Sequence, residues 1–188
     1  MAVIGVLALQ GDFEKHAIIV QKLGFEARLV KDAKSLKQCE RLIIPGGEST
    51  TFLKLIDRLN LRDELKTFGK TKPVFGTCAG LIILADKVEN DSFDTLGLID
   101  ISVSRNAYGR QIDSFCDTVK LGFDKDNTFE AFFIRAPKIL ECHGSVKPLA
   151  YHNDDIVMAA NGNILVASFH PELTDDLRIH DFFLNHFS

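Results

Sequence analysis

The stretch Pro73-Val74-Phe75-Gly76-Thr77-Cys78-Ala79-Gly80-Leu81-Ile82-Ile83-Leu84-Ala85 joins a short apolar run to an apolar helical pattern through a glycine-flanked turn. The pattern predicts a strand at Val74–Gly76 and a helix that continues through Leu81–Ala85. A strand that turns directly into a helix is the repeating unit of α/β folds. The same unit is therefore expected on either side of it.

The first half of the chain alternates strand-like and helical patterns. Strands are predicted at Val3–Leu9, Glu26–Val30 and Arg41–Ile44. A helix is predicted after the first strand, with Asp12 as its N-cap and Gly24 at its end. A second helix follows the third strand, where apolar residues recur at helical spacing: Phe52, Leu55, Ile56 and Leu59. This alternation indicates a parallel sheet with helices on both faces.

The second half contains strand-like runs with little helix between them: Leu98–Val103, Phe115–Leu121, Phe129–Arg135, Ile156–Ala160 and Ile164–Phe169. The last two flank Asn161-Gly162, a pair that favours a tight hairpin turn. The segment from Thr174 to Phe187 is predicted to be a capped closing helix. The predicted fold class is therefore α/β, with a mostly parallel central sheet flanked by helices and an antiparallel extension. We expect a single domain over residues 1–188.

Composition excludes several classes of protein. Hydrophobic residues make up 46% of the 188 residues and charged residues 26%, the balance of a globular protein. The net charge of -4 and the absence of a basic stripe argue against nucleic acid as the primary partner. The four cysteines lack CxxC spacing, which argues against structural zinc and a disulfide framework. With no secretory or membrane-spanning pattern, we expect a cytoplasmic protein with reduced thiols.

Cys78 is the strongest candidate for a catalytic nucleophile. It lies in Gly76-Thr77-Cys78-Ala79-Gly80, an arrangement in which a strained turn exposes the nucleophile at the carboxyl end of the sheet. The following helix would favour the thiolate, and the amide of Ala79 would face a developing oxyanion. The alternative is a buried structural cysteine, the interpretation that we give to Cys39, Cys116 and Cys142.

His170 and Glu172 are the candidates for a base and the group that orients it. His170-Pro171-Glu172 directly follows the predicted strand Ile164–Phe169. In an extended chain, residues two apart project to the same side, so Glu172 could bind one imidazole nitrogen while the other faces Cys78. A surface His–Glu pair is the alternative, and the position at a strand end favours the catalytic interpretation.

The glycine-rich turn Pro45-Gly46-Gly47-Glu48-Ser49 is the third candidate element. Adjacent glycines before a helix allow backbone amides to approach an anion closely. A plain strand-to-helix connection is the alternative. Beside a nucleophile and a base, the turn is better interpreted as a cradle for an oxyanion or a substrate.

These elements together resemble the class I glutamine amidotransferases, whose glutaminase domain uses a Cys–His–Glu triad. Further stretches make the chain similar, almost from end to end, to the PdxT family of glutaminase subunits of pyridoxal 5′-phosphate synthase. They are Leu7-Ala8-Leu9-Gln10-Gly11-Asp12, Pro45–Thr51, Arg105-Asn106-Ala107-Tyr108-Gly109-Arg110-Gln111, Phe133-Ile134-Arg135-Ala136-Pro137 and His170–Asp176. The resemblance implies a class I glutamine amidotransferase-like (flavodoxin-like) fold.

The resemblance also implies an activity and a partner. Such subunits hydrolyse L-glutamine to L-glutamate and ammonia, and pass the ammonia to a separate (β/α)8-barrel synthase subunit for vitamin B6 synthesis. By motif, Cys78 is the nucleophile, His170 the base and Glu172 its orienter. Gly47 and Ala79 would form the oxyanion hole, and the loop at Gln10 would contact the synthase. The glutamine-binding positions are Gly46, Gly47, Glu48, Arg105, Ile134 and Arg135. No metal or organic cofactor is expected.

Three other functions stay open at this point. The chain could be the glutaminase of another amidotransferase, although the block Arg105–Gln111 argues against that. It could be a stand-alone γ-glutamyl hydrolase on the same fold, or a catalytically silent binding subunit. The remaining histidines are interpreted as ordinary surface or helix residues: His16, His143, His152, His180 and His186.

Overall fold

The computed structural model describes residues 2–92, 94–105 and 114–187. The helices in these ranges are α1 (Phe13–Lys22), α2 (Ala33–Lys37), α3 (Ser49–Arg58), α4 (Arg62–Thr71), α5 (Ala79–Leu84) and α6 (Arg178–Asp181), which a π-helical turn at Phe182–His186 extends. The strands are β1 (Val3–Leu7), β2 (Glu26–Val30), β3 (Arg41–Ile44), β4 (Val74–Thr77), β5 (Ala85–Val88), β6 (Ile99–Ser104), β7 (Ser114–Leu121), β8 (Asp124–Ile134), β9 (Lys138–Cys142), β10 (Lys147–His152), β11 (Asp155–Ala160) and β12 (Ile164–Ala167).

The sheet has a parallel half and an antiparallel half, as the sequence predicts. Its main path runs β2-β1-β3-β4-β12-β11-β10-β7-β8. The first five strands of this path pair in parallel. From β12 onward the pairs are antiparallel. A side branch formed by β5, β6 and β9 joins the sheet through β11.

Apolar side chains cover both faces of the parallel half. On one face, α3, α4 and α5 pack against the sheet through residues such as Phe52, Leu65 and Leu81. On the other face, α1 and the C-terminal helix contribute Val20 and Phe183. Strands buried on both faces explain why the sequence of β1, β3 and β4 is almost continuously apolar.

Several sequence predictions differ from the structure at the ends of elements. The helix α5 ends at Leu84 and Ala85 begins a strand, because β5 pairs with β6 there. Asp12 precedes α1, but its side chain makes no capping hydrogen bond. The closing helix begins only at Arg178. Leu177 occupies its N-cap position, and no side chain caps the helix there.

The hairpin between β11 and β12 is present, but its turn is stabilised differently from a tight two-residue turn. The side-chain oxygen of Asn161 accepts hydrogen bonds from the backbone amides of Asn163 and Ile164. The backbone amide of Asn161 donates to the Ile164 carbonyl at 3.0 Å. A side chain that mimics a backbone turn therefore closes this hairpin.

Neighbouring parallel strands bring the candidate segments to one edge of the sheet. Gln10 follows β1, the glycine turn 45–49 follows β3, Cys78 follows β4, and His170 lies just beyond β12. Because the carboxyl ends of parallel strands lie at the same edge, distant parts of the chain meet there. None of the helices in the described ranges has the length and apolar character required to cross a bilayer.

Candidate active site

Cys78 occupies a strained turn between β4 and α5. Its φ of 48° lies in the left-handed region, which residues with a side chain rarely adopt. A Cβ on Gly76 would lie 2.7 Å from the backbone of Gly80, and one on Gly80 would lie 2.1 Å from the carbonyl oxygen of Ile44. Both flanking glycines are therefore required by close packing.

The thiol of Cys78 is held at the edge of the sheet and is only 7% exposed. The backbone amide of Cys78 donates to the backbone carbonyl of Ala167 at 2.9 Å, and this hydrogen bond ties the turn to β12. The thiol lies 3.9 Å from the carbonyl oxygen of Ile134, to which it donates a weak hydrogen bond. These two contacts hold the turn against β12 and against the end of β8.

His170 contacts both Cys78 and Glu172. Its Nδ1–H donates to Glu172 Oε1 at 2.7 Å. Burial lowers the pKa of His170, but hydrogen bonds with Cys78 and Glu172 and the charges of both outweigh burial and raise this pKa to about 10. An imidazolium at His170 is therefore favoured at neutral pH.

The route by which Glu172 reaches His170 differs from the extended chain that the sequence predicted. Pro171–Leu173 forms a 3-10 turn, with His170 at its N-terminus. The turn and not a strand therefore brings the carboxylate to the imidazole. Burial raises the pKa of the Glu172 carboxyl, but His16, together with the hydrogen bond and charge of His170, lowers it to about 2.

Two histidines that we interpreted as ordinary residues are buried behind this pair. His16 and His180 are each 0% exposed, so a surface position is wrong for both, although both lie in helices as expected. His16 follows Phe13 by three residues and precedes Val20 by four, which places it on the buried face of α1. That spacing was the available signal. It does not reveal that Glu172 lies beside the ring.

The glycine turn approaches the base closely. A Cβ on Gly46 would lie 2.5 Å from His170 Cε1 and 3.3 Å from Cys78 Cβ. Gly47 has a φ of 152°, and a Cβ there would meet the Gln10 side chain at 3.0 Å. Gln10 Nε2 donates to the carbonyl of Glu48 at 2.6 Å. The loop after β1 therefore packs directly against this turn.

The side chain of Glu48 holds the turn against α3. It accepts hydrogen bonds from the backbone amides of Thr50 and Thr51, at 2.9 and 2.7 Å. Burial raises its pKa, but the hydrogen bonds with Thr51 and Thr50 outweigh this and lower it to about 2. Arg105 lies 3.2 Å from Glu48 and 3.1 Å from Asp91. Glu48 thus links the helix N-terminus to a cation at the cavity.

A cavity of about 320 Å³ lies between these segments. Eight residues predicted from the sequence line it: Gly46, Gly47, Glu48, Cys78, Arg105, Ile134, Arg135 and His170. Four lining residues were not predicted as site residues: Gly11, Asp12, Ser49 and Ile82. Gln10 packs behind the glycine turn, Glu172 lies behind His170, and Ala79 follows Cys78. Residues 106–111 of the predicted block Arg105–Gln111 lie outside the described ranges.

Arg135 adds a second cation at the mouth of the cavity. It directly follows β8 and has a φ of 42°, again in the left-handed region. Non-glycine residues in this conformation concentrate at ligand-binding sites, where the surrounding structure holds them. The cavity therefore combines a thiol, an imidazole, two guanidinium groups and glycine-rich backbone, which suits a small zwitterion with an electrophilic carbonyl.

Two solved structures illustrate the likeness of this fold to known proteins. A crystal structure described as a glutamine amidotransferase superposes with a TM-score of 0.91 and 40% identity over 97% of each chain. The structure of PurLQS from Thermotoga maritima superposes with a TM-score of 0.74 over 100% of this chain and 99% of the other. At 16% identity, the second likeness concerns the fold alone. The fold is therefore that of the glutamine amidotransferases.

A model of the SNO glutamine amidotransferase family matches residues 6–188, and the chain belongs to that family. The chain is 50% identical over 184 residues to the pyridoxal 5′-phosphate synthase subunit PdxT of Thermosipho africanus, covering 97% of both. It is 48% identical over 182 residues to the PdxT subunit of Francisella philomiragia, again covering 97% of both.

Proposed function

We propose that this chain hydrolyses L-glutamine to L-glutamate and ammonia, and supplies the ammonia to the synthase subunit of pyridoxal 5′-phosphate synthase. The observation that carries the proposal is the contact of His170 with both Cys78 and Glu172, at a cavity that Cys78 and His170 line. Identity of 50% with a PdxT subunit over 97% of both chains supports the choice of substrate and pathway.

The proposed reaction begins with transfer of the Cys78 proton to His170. The raised pKa of His170 favours this step. The thiolate attacks the side-chain amide carbon of glutamine, and His170 returns the proton to the leaving nitrogen, so that ammonia departs. A γ-glutamyl thioester remains on Cys78. Water then attacks the thioester while His170 accepts its proton, and glutamate and the free thiol are released.

The backbone amides of Gly47 and Ala79 are the proposed donors to the tetrahedral intermediate, since Gly47 lines the same cavity as Cys78 and Ala79 follows Cys78 in the sequence. Arg105 or Arg135 would bind the substrate α-carboxylate. Gly46, Glu48 and Ile134 complete the proposed glutamine site, because all line the cavity. Glu48 has a second role in this proposal: it holds Arg105 in place.

The proposed partner is a (β/α)8-barrel synthase that combines ammonia with a pentose phosphate and a triose phosphate. Gln10 lies in the loop after β1 and is the proposed contact. The chain would work as a single domain over residues 1–188, in the cytoplasm, without a metal or an organic cofactor of its own.

Replacement of Cys78 tests the proposal. Cys78→Ser, mixed with the synthase subunit, is expected to release no glutamate, because an alcohol beside His170 is a much weaker nucleophile than a thiolate. Cys116→Ser is the matched control, since Cys116 is an exposed thiol on β7. Full glutamate release by Cys78→Ser would contradict the mechanism. Glutamate release that requires Cys78 but is unchanged when the synthase subunit is added would instead indicate a stand-alone hydrolase.

A further inference from the structure

A row of buried polar groups continues behind the base and ends in the protein interior. Glu172 Oε2 lies 3.4 Å from His16 Nε2, and both side chains are 0% exposed. His16 Nδ1 lies 2.9 Å from His180 Nε2. Within the described residues, Glu172 Oε2 and His180 Nδ1 have no hydrogen-bond partner. Neither histidine has a part in the chemistry proposed above.

The contacts fix the tautomer of each ring. Burial lowers the pKa of His16 and lowers that of His180 to about 3, so both rings are neutral at neutral pH. A carboxylate oxygen can only accept, so the His16 nitrogen that faces Glu172 must carry the hydrogen. His16 Nδ1 is then an acceptor, and His180 Nε2–H donates to it. The remaining nitrogen, His180 Nδ1, is bare, which agrees with its lack of a partner.

We propose that His16 is a positioning residue of the active site: its Nε2–H faces the second oxygen of Glu172 in a 3.4 Å electrostatic contact, while His180 holds His16 in the tautomer that places a hydrogen there. This inference rests on the proposed function, in which Glu172 orients His170. With His170 on Oε1 and His16 on Oε2, both carboxylate oxygens face a ring nitrogen, and rotation of the carboxylate is opposed from both sides.

The position of His16 in the fold supports this role. It lies on the first turn and a half of α1, directly behind the loop that lines the cavity. The same Nε2 is 3.4 Å from the hydroxyl of Thr77, the residue before Cys78. His16 thus touches the turn that carries the nucleophile as well as the group that orients the base. An apolar side chain there would leave a buried carboxylate oxygen with no donor nearby.

The charges around His16 come from three segments. Glu172 and His170 face it from the 3-10 turn, His180 faces it from α6, and Asp12 lies at the start of its own helix. The electrostatic interaction between His16 and Glu172 lowers the pKa of Glu172, and it opposes the lowering of the His16 pKa by burial. The 3.4 Å contact lacks the geometry of a hydrogen bond, so a moderate effect on rate is expected.

Two substitutions of similar size separate positioning from packing. His16→Leu fills the space without a donor, and His16→Gln restores an N–H at about the reach of Nε2. With the full chain and its synthase partner, His16→Leu is expected to lower kcat about tenfold and leave KM within about twofold, since the contact orients a catalytic group and does not touch substrate. His16→Gln is expected to recover most of the loss. Val20→Ala, a buried apolar change on the same helix, should lower Tm without lowering kcat.

A second readout does not depend on activity. In chain labelled with nitrogen-15 at histidine, the ring nitrogens of His16 and His180 are expected to report neutral Nε2–H tautomers at pH 7. A charged His16, or one protonated at Nδ1, would overturn the proposal. The proposal would also be overturned if His16→Leu kept the wild-type kcat, or if the kcat of His16→Gln were as low as that of His16→Leu. If the wild-type chain releases no glutamate with the synthase, the proposed function is wrong. The inference about His16 is then tested only by the tautomers of His16 and His180.

Discussion

Replacing Gly46 by alanine would add a methyl carbon 2.5 Å from His170 Cε1, 3.2 Å from His170 Nδ1 and 3.3 Å from Cys78 Cβ. Carbon atoms in contact ordinarily lie about 3.5–4.0 Å apart, so the imidazole or the glycine turn must move by about 1 Å. The 2.7 Å hydrogen bond between His170 and Glu172 opposes movement of the imidazole. A displacement of about 1 Å in a catalytic group typically costs ~100-fold in rate, or about 2.7 kcal/mol.

Steady-state glutamate release with saturating synthase subunit measures this loss, and circular dichroism checks that the variant is folded. Gly46→Ala is expected to lower kcat about 100-fold, because the methyl separates nucleophile from base. Gly162→Ala is the matched control, since no heavy atom lies within 4 Å of the added Cβ and its activity should not change. A folded Gly46→Ala variant with wild-type kcat would refute the assignment of His170 and Cys78 as a reacting pair.

The remaining predictions concern the base, its orienter and the partner loop. His170→Asn is expected to be nearly inactive, whereas Glu172→Gln should lose roughly 10- to 100-fold in kcat, the effect of one charged hydrogen bond; equal losses would contradict the assigned roles. The pKa of Glu172, about 2, lies below its ordinary value of 4.5. The ionised carboxylate therefore stabilises the folded protein above pH 4.5, and this stabilisation is lost as pH falls toward 2. The Tm difference between wild type and Glu172→Gln should shrink between pH 4.5 and pH 2. Gln10→Ala is expected to reduce activation by the synthase about tenfold or less in a titration, and an unchanged response would exclude this contact.

The parallel half of the fold could be predicted because its strands carry their own local signal. Glu26–Val30 and Arg41–Ile44 were predicted with the bounds that the structure has. The helices α2 and α4 and the strands β5, β9 and β10 were missed. β9 has charged residues three positions apart, at Lys138 and Glu141, and therefore lacks the alternation of a half-buried strand. It is a strand because β6 and β11 pair with it. Pairing with distant strands is a tertiary effect that a local pattern does not contain.

The candidate site was predicted in outline because each of its segments follows a strand, and parallel strands end at one edge. The turn at Cys78 and the glycine turn are local motifs with a steric cause, so the sequence reveals them. The partners of buried polar groups are not local. Glu172 reaches His170 through a 3-10 turn, and His16 approaches Glu172 from a helix 156 positions earlier in the chain. No spacing rule connects such residues.

The two sides of the base differ in how readily they can change. Behind His170, Glu172 and His16 are 0% exposed and packed among apolar residues, so that side has little freedom to respond to a partner. In front of it, the glycine turn is held by Gln10 from an exposed loop, and a Cβ on Gly11 would lie only 1.8 Å from the carbonyl oxygen of Gly46. A small movement of the loop after β1 must therefore move the peptide groups of the turn, because contact this close leaves no space between them. A partner that docks at Gln10 would act on Gly47, the proposed oxyanion donor in this turn, while the hydrogen bond to Glu172 opposes a change in the orientation of His170.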